Sequence, residues 1–216
     1  MKYGILFGIV SILLIVVAIS RGYWYLLCLW PAASFGIIAA GYLFLGPRVY
    51  GKSHGVLSPF TTVLLLPYLC YMWAAWYAMR FVKTEAAYDQ LTEDIYIGRR
   101  LLAHEFPDFV DHVIDLTCEF TEPKPLRETT YHSFQILDGY VPDTAQLKEW
   151  LSDAANLKGV IYIHCAEGHG RTGLFAAALL VQLGKFASAD EALEYVKSKR
   201  PLVRLGTRQM DTLSAI

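Results

Sequence analysis

Three stretches of this chain, Tyr3–Ser20, Gly22–Gly46 and Val56–Met79, contain no charged residue. Each is about as long as the roughly 20 residues an α-helix needs to cross a bilayer. A backbone in hydrocarbon must satisfy its own polar groups, so runs of this kind are expected as helices. Arg21, Arg48, Lys52, Arg80 and Lys83 punctuate them, and the aromatic clusters Tyr23-Trp24-Tyr25 and Trp73/Trp76/Tyr77 lie near their ends. Amphipathic rings favour the headgroup layer. The expectation is a membrane anchor of about three transmembrane helices over residues 1–83. Pro31, Pro59 and Pro67 fall within the runs, which packed transmembrane helices tolerate. Gly4/Gly8 and Ala32/Gly36/Ala40 have the small-xxx-small spacing that lets helices approach. Lys2 and Ala18-Ile19-Ser20 would also suit a cleaved signal peptide. The two further runs that follow favour a retained span.

Charged residues become frequent only after the third run. The whole chain is 55% hydrophobic and 18% charged, with net charge −1, which leaves no footprint for nucleic acid. Cys28, Cys70, Cys118 and Cys165 form no CxxC pair, so neither a disulfide framework nor a zinc site is indicated. From about Thr84 to Ile216, strand and helix signals alternate. Strands are predicted at Ile95–Ile97, Val113–Leu116, Tyr131–Leu137 and Val160–Ile163. Helices are predicted over Thr144–Asn156, capped by Asp143, and over Thr172–Leu183, Ala189–Ser198 and Thr207–Leu213. Such alternation implies an α/β fold with a mostly parallel central sheet flanked by helices.

The continuous apolar run Val160–Ile163 leads into His164-Cys165-Ala166-Glu167-Gly168-His169-Gly170-Arg171-Thr172-Gly173. A strand-to-helix turn with Gly168 and Gly170 lets successive backbone N–H groups, from Ala166 through Gly170, face one concavity and bind an anion. The N-terminus of the following helix adds positive potential. Arg171 supplies a planar fork for two phosphate oxygens. The same field favours Cys165 as the thiolate, the nucleophilic form.

This segment resembles the HCxxGxxR(S/T)G signature of the protein tyrosine phosphatase superfamily, in particular its dual-specificity branch, and the likeness covers roughly Thr92 to the C-terminus. The resemblance implies that Cys165 attacks the phosphorus of a monoester and that an aspartate about thirty residues upstream protonates the leaving oxygen. Asp138, 27 residues before Cys165, is the favoured acid over Asp143, which better suits a helix cap. By the same resemblance, Thr172 assists breakdown of the cysteinyl-phosphate and His164 supports the loop. No cofactor or metal is implied, and His104, His112 and His132 are scattered in sequence. Glu167 and His169 depart from the family pattern. A carboxylate about 10 Å from a bound phosphate costs on the order of 0.4–1.7 kcal/mol, which weighs against heavily phosphorylated inositol substrates.

The expected function is therefore that of a membrane-anchored phosphatase acting on phosphotyrosine, phosphoserine or phosphothreonine in proteins. A phospholipid head group is the alternative, and a non-catalytic phosphate-binding module is a more distant one. Arg21, Arg80 and Lys83 oppose Lys2, Arg48 and Lys52 across the membrane, so the charge rule nearly ties. A reactive thiol places the domain on the cytosolic side.

Overall fold

The first charge-free run contains no proline. In the computed structural model, which describes residues 2–216, it forms a single helix, α1 (Lys2–Arg21). The second run is less regular than expected. Gly22 and Gly46 both adopt positive φ, 62° and 68°. Between and just beyond them lie a 3₁₀ segment (Tyr23–Cys28), α2 (Leu29–Ala40), a π turn (Gly41–Leu45) and a second 3₁₀ segment (Gly46–Tyr50). A two-stranded hairpin, β1 (Lys52–Ser53) and β2 (Val56–Leu57), takes up the start of the third run. The helix α3 (Pro59–Val82) therefore begins three residues later than predicted. Pro59 occupies its first turn, where the missing N–H costs nothing. The three helical segments Lys2–Arg21, Tyr23–Tyr50 and Pro59–Val82 are long and apolar enough to cross a membrane.

These helices belong to one of two units in the chain, the unit that holds residues up to Thr84 together with Cys118–Thr121. Within it α1 and α2 approach closely. Ser11 Oγ donates to Ala32 O at 2.7 Å, and a Cβ on Gly36 would lie 3.0 Å from Ser11 Oγ. Pro67 is the one interior proline of α3. It has no N–H for the carbonyl of Val63, and Trp30 Nε1 donates to that oxygen instead, at 3.2 Å. A neighbouring helix thus satisfies the group that proline frees. Thr121 Oγ1 accepts the Leu57 amide at 3.0 Å, and the Phe120 ring sits 5.2 Å from that of Trp76.

The second unit holds Glu85–Thr117 and Glu122–Ile216. Its five-stranded sheet is built from β3 (Tyr88–Gln90), β4 (Ile95–Arg99), β5 (His112–Asp115), β6 (Thr130–Ser133) and β7 (Ile161–Cys165), in the order β3-β4-β7-β5-β6. Only β3 is antiparallel. The central strand β7 is buried along its whole length. Ile161 and Ile163 join one core with α5 (Thr144–Ala155), α6 (Gly170–Gln182), α7 (Ala189–Lys199) and α8 (Thr207–Ser214), while Tyr162 joins Leu101, Val113 and Leu126 on the other face. Leu126 comes from a short helix, α4 (Lys124–Glu128), which the sequence pattern does not disclose. The expected α/β architecture is present.

Two differences from the expected boundaries bear on the site. The strand predicted over Tyr131–Leu137 ends at Ser133. Phe134 and Ile136 amides still donate to Asp115 and Leu116 carbonyls, at 2.9 and 3.2 Å, but β5 itself stops at Asp115, so no ladder continues. The helix predicted from Thr172 starts at Gly170, because Gly173 N donates to His169 O at 2.8 Å and closes the first turn earlier.

Candidate active site

The turn between β7 and α6 carries Cys165 through Arg171, and it is assembled by pointing carbonyls outward. Ala166 O accepts the Arg100 amide at 3.2 Å. Arg200 donates to the carbonyls of Glu167 (Nη2, 3.2 Å) and Gly168 (Nε, 3.0 Å). His169 O accepts Gly173 N. In a trans peptide the N–H opposes the C=O, so the amides of residues 167–170 turn to the concave side. One of them meets the sulfur directly: Gly168 N donates to Cys165 Sγ at 3.3 Å.

Gly168 is required twice over. Its φ is 77°, and a Cβ there would lie 2.4 Å from the Gly98 backbone. No other residue fits that combination at comparable cost. Arg171 is only 1% exposed and its Nη1 donates to Ile136 O at 2.9 Å. The early end of β6 is what frees this carbonyl for the guanidinium. Nη2 lies 3.1 Å from Asp138 Oδ1, although the Asp138 side chain is 68% exposed. Asp138 follows Leu137 in a turn closed by Tyr140 N donating to Leu137 O at 3.0 Å, with Gly139 at φ 65°. Asp143 lies five residues on and caps α5, accepting Ala145 N at 2.9 Å.

Thr172 is fully buried, and its Oγ1 has no hydrogen-bond partner among the described residues. His164 is buried beside the loop, its Nδ1 3.4 Å from Cys165 O and its Nε2 4.0 Å from Asp115 Oδ1. Asp115 also accepts the Tyr131 hydroxyl. Burial first and Asp115 second push that phenol far above its usual value, so it remains a donor. Glu167 and His169 lie on the outer side of the turn. His169 Nε2 donates to Glu85 Oε2 at 2.7 Å, and its Nδ1 is 3.5 Å from Glu167 Oε2.

Sequence reasoning missed Arg200 and Gln209. Arg200 precedes Pro201 and reads as a solvated helix end, yet it is fully buried. Gln209 Nε2 donates to Tyr140 O at 3.3 Å and so ties the Asp138 turn to α8. Nor are all the histidines scattered: the parallel register of β5 and β6 brings the rings of His112 and His132 to 5.8 Å.

Residues 108–216 match the dual specificity phosphatase catalytic domain. The chain belongs to this family. Its phosphatase domain is of the cysteine-dependent type. A CDC14 tyrosine-protein phosphatase homologue from Schizosaccharomyces pombe is 36% identical over 74 residues, covering 33% of this chain and 14% of that protein. The dual specificity phosphatase CDC14B from Mus musculus is 26% identical over 133 residues, covering 59% and 25%. The chain thus spans a quarter or less of the length of these curated relatives. Among solved structures, PTPMT1 in complex with PI(5)P superposes with a TM-score of 0.54 at 19% identity, covering 60% of this chain and 94% of that one. At that identity the likeness is one of fold.

Proposed function

We propose that this chain is a membrane-anchored phosphatase that hydrolyses phosphate monoesters of proteins, at tyrosine, serine or threonine, through a cysteinyl-phosphate intermediate. The observation that carries the reading is the Gly168 amide on Cys165 Sγ, at the open side of a turn whose carbonyls are all engaged elsewhere. Inward amides, the N-terminus of α6 and Arg171 together make an electropositive cup with a thiol at its base. Such a cup holds a phosphate dianion and stabilises the attacking thiolate.

In the proposed reaction Sγ forms a bond to phosphorus as the ester P–O bond breaks. Asp138, which already reaches Arg171, delivers a proton to the departing oxygen. Water then attacks the phosphorus as the P–S bond breaks, giving a proton to the Asp138 carboxylate and releasing inorganic phosphate. The Thr172 hydroxyl, buried and without a partner among the described residues, is available to stabilise the returning thiolate. Most of the acceleration is positional and electrostatic.

Sequence kinship to CDC14 phosphatases, and the partly exposed carboxylate of Glu167 on the turn, favour a substrate with a single phosphate over a polyphosphorylated one. The three apolar helices favour a second reading, a lipid head group bearing one phosphomonoester, because they would hold the enzyme at the lipid surface and raise its effective concentration there. Detergent-solubilised protein should be offered phosphotyrosine peptide, phosphothreonine peptide, phosphatidylglycerophosphate and phosphoinositides in parallel. Peptide turnover exceeding lipid turnover is expected, and the reverse order establishes the second reading. Cys165→Ser should abolish turnover on every substrate while vanadate still binds. Turnover that survives this change removes Cys165 as the nucleophile.

A further inference from the structure

We propose that Arg200 and Glu85 are positioning residues that hold the phosphate-binding turn in its inward-amide conformation. The inference rests on the reading of that turn as the phosphate site. Neither residue lies within the cysteine motif. Glu85 precedes the family match, which begins at residue 108, and follows the end of α3 by three residues.

The argument begins with donors. A guanidinium carries five N–H groups in a fixed plane, and Arg200 has a partner for every one. Nε donates to Gly168 O at 3.0 Å. Nη1 donates to Ala86 O at 3.2 Å and Asp89 Oδ2 at 2.6 Å, and Nη2 to Glu85 Oε2 at 3.0 Å and Glu167 O at 3.2 Å. Two of these acceptors are successive carbonyls of the turn. The peptide joining Glu167 to Gly168 is consequently held at both ends, its oxygen by Arg200 and its N–H by Cys165 Sγ. The next peptide is held at its oxygen by the same guanidinium, which directs the His169 amide inward. A flip of either peptide would aim a carbonyl at the bound anion.

Glu85 closes the arrangement. Its Oε2 accepts from both Arg200 and His169 Nε2, so one carboxylate oxygen braces the turn through a backbone clamp and through a side chain of the turn itself. Together with Asp89 it neutralises a guanidinium that has no solvent exposure. Lysine could supply the charge at this position but not the planar grip on adjacent carbonyls.

The test uses the full-length, detergent-solubilised chain and three variants: Arg200→Lys, Arg200→Met and Glu85→Gln. The readouts are kcat and KM on p-nitrophenyl phosphate, the rate of Cys165 alkylation by iodoacetamide, vanadate affinity and the melting temperature. Arg200→Met should lower kcat/KM by about 10²-fold, the scale of a misplaced constellation, with slower alkylation and weaker vanadate binding. Arg200→Lys should recover only part of this. Arg200→Met removes a partner from a buried ion cluster and stands to lose the fold; Glu85→Gln keeps the inference open to test in that event. It should reduce kcat/KM about 10-fold, because the amide oxygen still accepts from Arg200 and His169 but without the charge, at a melting temperature near that of the parent. Unchanged alkylation and vanadate affinity in folded Glu85→Gln and Arg200→Lys would overturn the positioning role while leaving the phosphatase reading intact. A parent protein that neither turns over aryl phosphate nor binds vanadate would instead sink the phosphatase reading itself.

Discussion

Asp138 and Arg171 illustrate how exposure decides what an ion pair does. The guanidinium is almost wholly buried, but the carboxylate is two-thirds in solvent. A pair of that kind contributes about 0–1 kcal/mol to stability, so the contact matters for placement more than for folding. Replacing Asp138 by alanine should leave the melting temperature nearly unchanged. It should slow alkyl phosphates by about 10²–10⁴-fold, and aryl phosphates with good leaving groups much less, because only a poor leaving group needs the proton. Asp143→Ala should do the opposite, costing about 0.5–2 kcal/mol of stability through the lost cap of α5 with turnover retained. Leaving-group dependence that follows Asp143 would move the acid to that residue. Both aspartates are visible as candidates in the sequence, Asp138 by its place 27 residues before the motif cysteine and Asp143 because it sits where a turn meets a helix start. Arg200 is not visible in the same way, since an arginine before a proline defaults to solvent and nothing local reveals that two carboxylates and three carbonyls await it across the fold.

Elements whose period is strong emerge from the sequence nearly intact. The uniformly apolar stretch Leu174–Leu180 of α6 is buried throughout, and the amphipathic α5 and α7 begin at side-chain caps from Asp143 and Ser188. Short elements do not emerge: β3 and α4 have too few residues to express a period, and β6 ends early because its partner strand runs out. Pairing of β5 with β6 also sets up a pH effect. His132 is half-buried, and burial followed by the neighbouring His112 lowers its affinity for a proton, with Asp153 pulling the other way. The unfolded chain titrates this histidine near 6.5, so between that value and the lower folded one the unfolded state binds more protons. The stability this histidine contributes is whole above pH 6.5 and declines as the pH falls. Thermal melts taken from pH 7.5 to 5.5 should therefore fall less steeply in His132→Gln than in the parent, by at most about 2–4 °C. Parallel curves for the two proteins would assign the acid sensitivity elsewhere.

At the scale of the whole molecule, the chain joins a unit of apolar helices to a phosphatase domain, and its path is not a single cut, because Cys118–Thr121 belongs with the helices. The exposed faces of α1 and α3, with Ile12, Leu13, Val16, Phe60 and Val63 among their outward side chains, have the chemistry of a lipid-facing surface. The full chain should remain in the membrane pellet after alkaline carbonate extraction and leave it in detergent; release by carbonate alone would argue for peripheral attachment. The sequence by itself determined the apolar runs, the alternation of strand and helix, and the Cys165–Arg171 motif, because each is written in residues that are close along the chain. Which carbonyls turn outward, that Asp138 meets Arg171, and that Glu85, Asp89 and Arg200 converge behind the turn were decided only by tertiary structure. The side-chain contacts among these join residues 32 to 115 positions apart, and a polar group selects such partners only once the folded core has excluded water.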